Sequence, residues 1–301
     1  GALEEVTVEA PDLTGPNGRI PITWARVEYI ETGPPRGYTA DYVGWWPDIL
    51  LPPGPFTVKE GLRQPIWCRV TVPADARPGR YQGTVTVCSG GTKATVPVEL
   101  QVRRFRLPRP GTLACPFGLY ANVLSRFYHP GKPYQDVLST ETYRRWCEFM
   151  TEYRLTPKNV ANEFHQRSTD DTGATKLSLE DLVPLVKELA PKAYADYSFA
   201  MFRLPCPKGW QRGEPEWDPE KTFRELEERR AEYMRLGLPT KAYIYGIDEP
   251  HEDGYPFVRS VYERVRTIAP EFPIMQTVNH RPPELLSGLI DIWCPLTARL
   301  H

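Results

Sequence analysis

Two adjacent carboxylates, Asp248 and Glu249, end the apolar run Tyr243-Ile244-Tyr245-Gly246-Ile247 and are followed by Pro250. Paired carboxylates are the equipment of glycoside hydrolysis, where one group protonates the leaving oxygen and the other stabilises positive charge at the anomeric carbon. Adjacency restricts how such a pair can work. Neighbouring side chains leave the backbone in different directions and are poorly placed to grip opposite faces of one anomeric carbon. Adjacent carboxylates fit better a reaction in which the sugar's own 2-acetamido oxygen attacks. Asp248 would then orient and stabilise the acetamido group, and Glu249 would serve as general acid and then base. The competing reading is a helix N-cap, because Asp ahead of a helix with proline in its first turn is common.

In a parallel β/α barrel, reactive residues gather at the C-terminal ends of strands. The ends of the other apolar runs offer Tyr120 and Asn122, Asn159 and Asn162, Arg203, Asn279 and His280, and Trp293. Of these, Tyr120, Asn159, Asn279 and Trp293, together with Tyr245, form the expected substrate-binding set. Each has an alternative role, since rim aromatics also pack the barrel and asparagines also cap turns. His251 and Glu252, with His280, could suggest a metal, but no H-x-x-x-H or H-E-x-x-H pattern supports one. His129 and His165 have no partner spacing and read as loop residues. Neither a metal nor a cofactor is expected. The chain also lacks G-x-S-x-G, G-x-x-x-x-G-K-[ST] and G-x-G-x-x-G. The mixed-sign run Arg224 to Arg230 is read as a solvated helix face.

Composition narrows the substrate class. The 301 residues carry 37 Lys+Arg against 38 Asp+Glu, a formal charge of −1. Such a balance gives no global field to attract nucleic acid or an anionic membrane surface. No window approaches the roughly 18 apolar residues of a membrane span, and the first residues lack the regions of a signal peptide. A soluble protein is expected, exported if its native N-terminus carries a leader. The 8 Trp, 16 Tyr and 11 Phe permit sugar binding, and the 33 Pro argue for loops and strand borders. Six cysteines without a C-x-x-C are too few for a disulfide framework and are expected to be mostly free and buried.

Two domains are expected from length and pattern. Residues 1–107 read as an antiparallel β-sandwich, because period-two stretches alternate with Pro/Gly turns from Pro21 onward. Ile22 to Ile30 is one strand. Ile66 to Val72 and Tyr81 to Val87 read as a hairpin closed by the turn Pro73 to Arg80. Ala94 to Val102 follows, and Pro97 within it suggests an edge or a bulge. Beyond the joint Leu107-Pro108-Arg109-Pro110, residues 108–301 change to β/α alternation. Strands are expected at Ala114 to Leu119, Thr156 to Val160, Tyr197 to Met201, Ala242 to Tyr245, Ile274 to Thr277 and Ile290 to Cys294. Helices are expected near Glu141 to Tyr153, Ser178 to Leu189, Pro219 to Leu236, Tyr255 to Ile268 and Pro283 to Ser287. In the third, Phe223, Leu226, Arg230, Tyr233 and Met234 recur at helical spacing, and Gly237 then Pro239 end it. Six units in series suit a (β/α)8 TIM-type barrel that stops two strands short.

Several segments carry a family resemblance. Trp46-Pro47-Asp48-Ile49-Leu50-Leu51-Pro52, Gln64-Pro65-Ile66-Trp67 and Val72 to Gly83 resemble the N-terminal β-sandwich of glycoside hydrolase family 123. Glu152 to Pro157, Tyr243 to Pro250 and Asp291 to Pro295 are similar to that family's catalytic barrel, in the same order. The resemblance implies a retaining β-N-acetylgalactosaminidase using substrate assistance, with the Asp-Glu pair falling on Asp248 and Glu249. The expected partner is a glycan or glycoconjugate. Two rival readings are a glycosidase for a non-acetamido sugar, with Asp248 purely electrostatic, and a carbohydrate-binding or scaffold protein without turnover.

Overall fold

The computed structural model describes residues 1–16, 18–35, 39–108, 112–128, 140–158, 160, 179–192, 195–207, 217–279 and 284–295. The chain divides into two compact units, Gly1–Leu107 and Pro108–His301.

The described residues of the first unit form nine strands, all paired antiparallel: β1 (Leu3–Glu9), β2 (Leu13–Gly15), β3 (Gly18–Ile20), β4 (Ile22–Glu31), β5 (Trp45–Leu51), β6 (Phe56–Val58), β7 (Ile66–Val70), β8 (Gly79–Ser89) and β9 (Thr92–Val102). One sheet has the order β3-β2-β8-β1-β6 with β9 beside β8, and the other the order β5-β4-β7. Their cores are shared. Ile22 of the smaller sheet packs with Leu13, Ile20 and Tyr81 of the larger, and Trp24 and Ile66 pack against Val6, Val8, Phe56 and Val85.

The hairpin expected from β7 and β8 does not exist. β7 pairs with β4 and β8 with β1, β2 and β9, so Pro73–Arg80 carries the chain from one sheet to the other. Local alternation specifies that both are strands but not which partner each takes. The strands β1 to β3 before Pro21 also lie outside the expected pattern. Within the crossover, the Tyr81 side chain is fully buried and its hydroxyl donates to the Arg77 carbonyl at 3.0 Å. Gly83 is bare because a Cβ there would sit 2.7 Å from Leu13 Cδ2. Pro97 sits on an edge strand, since among the described residues β9 pairs only with β8.

The second unit alternates short parallel strands with helices. The strands are β10 (Pro116–Phe117), β11 (Thr156–Pro157), β12 (Phe199–Arg203), β13 (Ala242–Tyr245), β14 (Ile274–Val278) and β15 (Ile292–Pro295). The helices are α1 (Ala121–Tyr128), α2 (Thr140–Glu152), α3 (Leu179–Leu189), α4 (Pro219–Leu236) and α5 (Tyr255–Ile268). β10 pairs with β11, and β12-β13-β14-β15 form one parallel sheet in chain order. Lys158 links the two groups: its N–H donates to the Phe117 carbonyl at 2.9 Å and its carbonyl accepts from Ala200 N at 3.0 Å. Among the described residues this sequential order has no reversal of the kind that marks a doubly wound sheet.

Helix α4 shows how the local sequence fixes its ends. Asp218 Oδ1 accepts from Lys221 N at 3.0 Å, Pro219 opens the first turn, and Gly237 closes the helix at φ 71°. Its buried face comprises Thr222, Phe223, Leu226, Arg229 and Tyr233, so Arg229 rather than Arg230 turns inward and Met234 remains exposed. Two further expectations change. Of the helix expected at Pro283–Ser287, the described residues from Glu284 onward form a one-turn 3₁₀ segment, Glu284–Leu286, and the unexpected helix is α1. All six cysteines are free, but only Cys147 and Cys206 are buried.

Arg230 does have a task. Its guanidinium binds the Glu271 carboxylate, with Nε donating to Oε2 at 2.9 Å, and ties α4 to the turn before β14. That hydrogen bond holds the Glu271 carboxyl below its usual value of 4.5. A depressed folded-state value means that the stabilisation is present above the usual carboxylate range and is lost as pH falls through the folded value. Both side chains remain about a third exposed, so Glu271→Gln is expected to cost roughly 0.5 kcal/mol at neutral pH. Urea unfolding at pH 7 and pH 3 should show that difference shrinking in acid.

Candidate active site

The parallel sheet has two faces of different character. Towards the helices, Phe199, Met201, Phe202, Ala242, Ile244 and Ile274 join the main core with residues of α2 to α5. On the other face Ala200, Tyr243 and Met275 are buried against Tyr245 and Ile292. The candidate site grows from this second face, at the C-terminal strand ends.

A β-bulge positions one of its members. Ala200 pairs with Tyr243 and Phe202 with Ile244, so Met201 is an extra residue in β12. Met201 and Phe202 both turn to the helix-side core, and Arg203 emerges beside Tyr245. Strict alternation would have sent Arg203 to the opposite face; the bulge re-aims it.

The turn after β13 is held from below by a buried polar frame. Gly246 N donates to the Met275 carbonyl at 2.7 Å, and Ile247 N donates to the Tyr262 hydroxyl at 3.0 Å. The Tyr262 hydroxyl donates to Gln276 Oε1, and Gln276 Nε2 donates to the Ile247 carbonyl at 2.7 Å. Tyr262 and Gln276 are both fully buried. Their satisfied bonds specify one path for the backbone that carries the carboxylates.

Asp248 is half-buried and Glu249 is exposed. Asp248 Oδ1 accepts from the Tyr245 hydroxyl at 2.9 Å and from Thr277 Oγ1 at 2.8 Å, while Oδ2 meets Arg203 Nη2 at 3.4 Å. Glu249 has a left-handed backbone, φ 45°, a conformation that side-chain-bearing residues adopt at a cost. Its N–H donates to Thr277 Oγ1 at 3.1 Å and its Oε2 accepts from Asn279 Nδ2 at 2.9 Å. Thr277 therefore bridges the two acidic residues, donating to one side chain and accepting from the other's backbone. The N-cap position of α5 is Gly254 rather than Asp248, and it makes no side-chain cap bond.

Lys158 and Arg203 flank the Tyr245 ring, with Lys158 Nζ 4.9 Å and Arg203 Cζ 5.5 Å from its centroid. Burial pushes the Lys158 ammonium below its usual value and Arg203 adds to the effect, while Asp248 opposes it. Burial, then the neighbouring Asp248 charge, pushes the Tyr245 phenol up. That phenol therefore stays protonated as a donor at neutral pH.

Of the expected substrate-binding set, Tyr245 and Asn279 contact the acidic pair directly. Tyr120 is 43% exposed at the end of β10, within electrostatic reach of Tyr243. Trp293 pairs in register with Gln276 and packs against the helix-side core, away from the carboxylates. Asn159, Asn162 and His280 lie outside the described residues. Among the described residues no three His, Cys, Asp or Glu side chains are grouped to hold a metal ion. No helix among them is long and apolar enough to cross a membrane. Lys158 and Thr277 have no signal in a local reading, because each acts only through a neighbour on another strand.

If Thr277 is the hinge of this arrangement, Thr277→Val should release both acidic residues while preserving shape. The expected result is a 10- to 100-fold loss in kcat, roughly the worth of one or two hydrogen bonds to charged or strained groups. Thr277→Ser should restore most of it. A Val variant as active as the parent would remove Thr277 from the site.

Residues 2–89 match the family model of the glycoside hydrolase 123 N-terminal domain. A solved family 123 glycoside hydrolase from Clostridium perfringens, studied for glycolipid glycan hydrolysis, matches the whole chain at 15% identity with a TM-score of 0.67. The chain covers 60% of that protein's length. A β-glucuronidase from Parabacteroides merdae aligns over 97% of this chain and 35% of its own at 11% identity, but its TM-score of 0.32 carries no argument. Among the curated proteins there is no match. Residues 2–89 therefore carry the glycoside hydrolase 123 N-terminal domain, and the chain shares its fold with that solved family 123 enzyme.

Proposed function

We propose that the protein is a retaining glycoside hydrolase that removes a terminal β-linked 2-acetamido sugar, N-acetylgalactosamine first among them, by substrate assistance. One observation carries this reading: Asp248 and Glu249 are adjacent, at a strand end, and oriented by one shared residue, Thr277. In the first step the acetamido carbonyl oxygen attacks C1, the C1–O glycosidic bond breaks, and Glu249 gives its proton to the leaving oxygen. Asp248 accepts the acetamido N–H and faces the positive charge of the cyclic intermediate. In the second step water attacks C1 from the face that the aglycone left, Glu249 takes its proton, and the acetamido group is restored.

The six parallel strands, in chain order, are read here as the first six of a (β/α)8 barrel whose mouth holds this site. In that architecture residues 108–301 are the catalytic part and residues 1–107 its companion sandwich. The substrate partner is a glycan or glycoconjugate.

Release of nitrophenol from the β-N-acetylgalactosaminide, the β-N-acetylglucosaminide and the plain β-galactoside tests the reading on the full-length protein. Turnover of the acetamido sugars alone is expected. Turnover of the galactoside at a comparable rate would move the reading to a direct mechanism, with Asp248 electrostatic only. Binding of acetamido sugars without turnover would favour a carbohydrate-binding protein.

A further inference from the structure

We propose that Lys158 and Arg203 form an anion-binding subsite beside the acidic pair, which takes a sulfate ester or carboxylate carried by the glycan next to the bond to be cleaved. The proposal rests on the glycosidase reading and adds the charge of its substrate.

The two cations come from the ends of neighbouring strands, β11 and β12, and meet around one aromatic ring supplied by the next strand, β13. A ring attracts a cation through its quadrupole, but it does not neutralise one, and two cations around it repel each other. Asp248 is the carboxylate that acts on both, and its Oδ1 already accepts two hydroxyl donors. Arg203 reaches Oδ2 only at 3.4 Å, longer than the 2.7–2.9 Å usual for a charge-assisted bond. Glu249, the other carboxylate, is engaged with Asn279. The Arg203 guanidinium is 43% exposed and keeps donors for a partner that presents two oxygens, as a sulfate ester and a carboxylate both do.

Lys158 supplies the second reason. It is half-buried, and both its burial and Arg203 act against its charge. An oxyanion drawn to the two side chains offsets that repulsion at the moment of binding. A neutral sugar hydroxyl could accept from the same donors but would leave the repulsion in place. The subsite therefore discriminates by charge.

The test is equilibrium titration of the full-length protein with N-acetylgalactosamine, with its 6-sulfate, and with a disaccharide in which a hexuronic acid adjoins the acetamido sugar. At least one anionic ligand should bind about tenfold or more tightly than the neutral sugar, and rising salt should erode the difference. In Lys158→Met the preference should fall towards one. The sulfate and uronate arms distinguish an ester on the cleaved sugar from a carboxylate on its neighbour. Equal binding of all three ligands, or a preference unchanged in Lys158→Met, would overturn the subsite. Hydrolysis of the neutral nitrophenyl glycosides, measured in parallel, reports separately on the glycosidase reading.

Discussion

Glu249→Gln is expected to lower kcat on an acetamido glycoside by about 10²- to 10⁴-fold, the range that general acid–base catalysis contributes. The substitution keeps the size of the side chain and its acceptor for the Asn279 amide, but removes the proton that must reach the leaving oxygen. KM and thermal stability should change little, because Glu249 is exposed and its backbone bond to Thr277 remains. Poor leaving groups should suffer most, since they depend most on protonation. Asp248→Asn should behave differently. It exchanges a charged acceptor for an amide in a nest of donors from Tyr245, Thr277 and Arg203, so substrate binding and kcat should both fall. A Glu249→Gln protein retaining half of the parent's activity would end the acid–base assignment.

Gly246→Ala is expected to destabilise the second unit by about 3 kcal/mol or more, at the upper end of overpacking costs. A Cβ at this position would collide with the Tyr262 hydroxyl and stand 2.7 Å from Gln276 Oε1 and 2.8 Å from the Met275 carbonyl. None of these neighbours can yield cheaply. Tyr262 and Gln276 are buried and bonded to each other and to the backbone of Ile247, and Met275 lies in β14. The expected fall in melting temperature is roughly 6 to 12 °C for a unit of this size. Activity should fall further than stability alone explains, because the same frame sets the carboxylates two and three residues on. Gly33→Ala, where a Cβ meets nothing within 4 Å, is the control and should be nearly neutral.

What the sequence makes legible follows from which interactions are local. The run Tyr243 to Ile247 is apolar, short and ended by two carboxylates, and the structure places those carboxylates at a strand end as that grammar requires. Helix α4 announces both of its ends through Asp218, Pro219 and Gly237. Pairing is not local. Strands β7 and β8 each alternate well, yet they belong to different sheets, because partner choice depends on packing across the whole unit. The same distinction governs the site. Arg203 reaches it only through the bulge at Met201, Thr277 only through the register of β14 beside β13, and Lys158 only where β11 meets β12. Trp293 shows the reverse: its residue type suits sugar stacking, but its parity in β15 sends it to the helix-side core.

The most direct test of the central claim, that the substrate's acetamido group is the nucleophile held by Asp248 and activated alongside Glu249, is a substituent series on that group. Nitrophenyl N-acetylgalactosaminides carrying zero, one, two or three fluorines on the acetamido methyl keep their shape almost unchanged while the carbonyl oxygen becomes steadily less nucleophilic. With the acetamido oxygen as nucleophile, kcat/KM is expected to fall steeply and monotonically along the series, by several orders of magnitude from first to last. A flat series would contradict it, because a carboxylate attacking the anomeric carbon directly has little use for the acetamido oxygen.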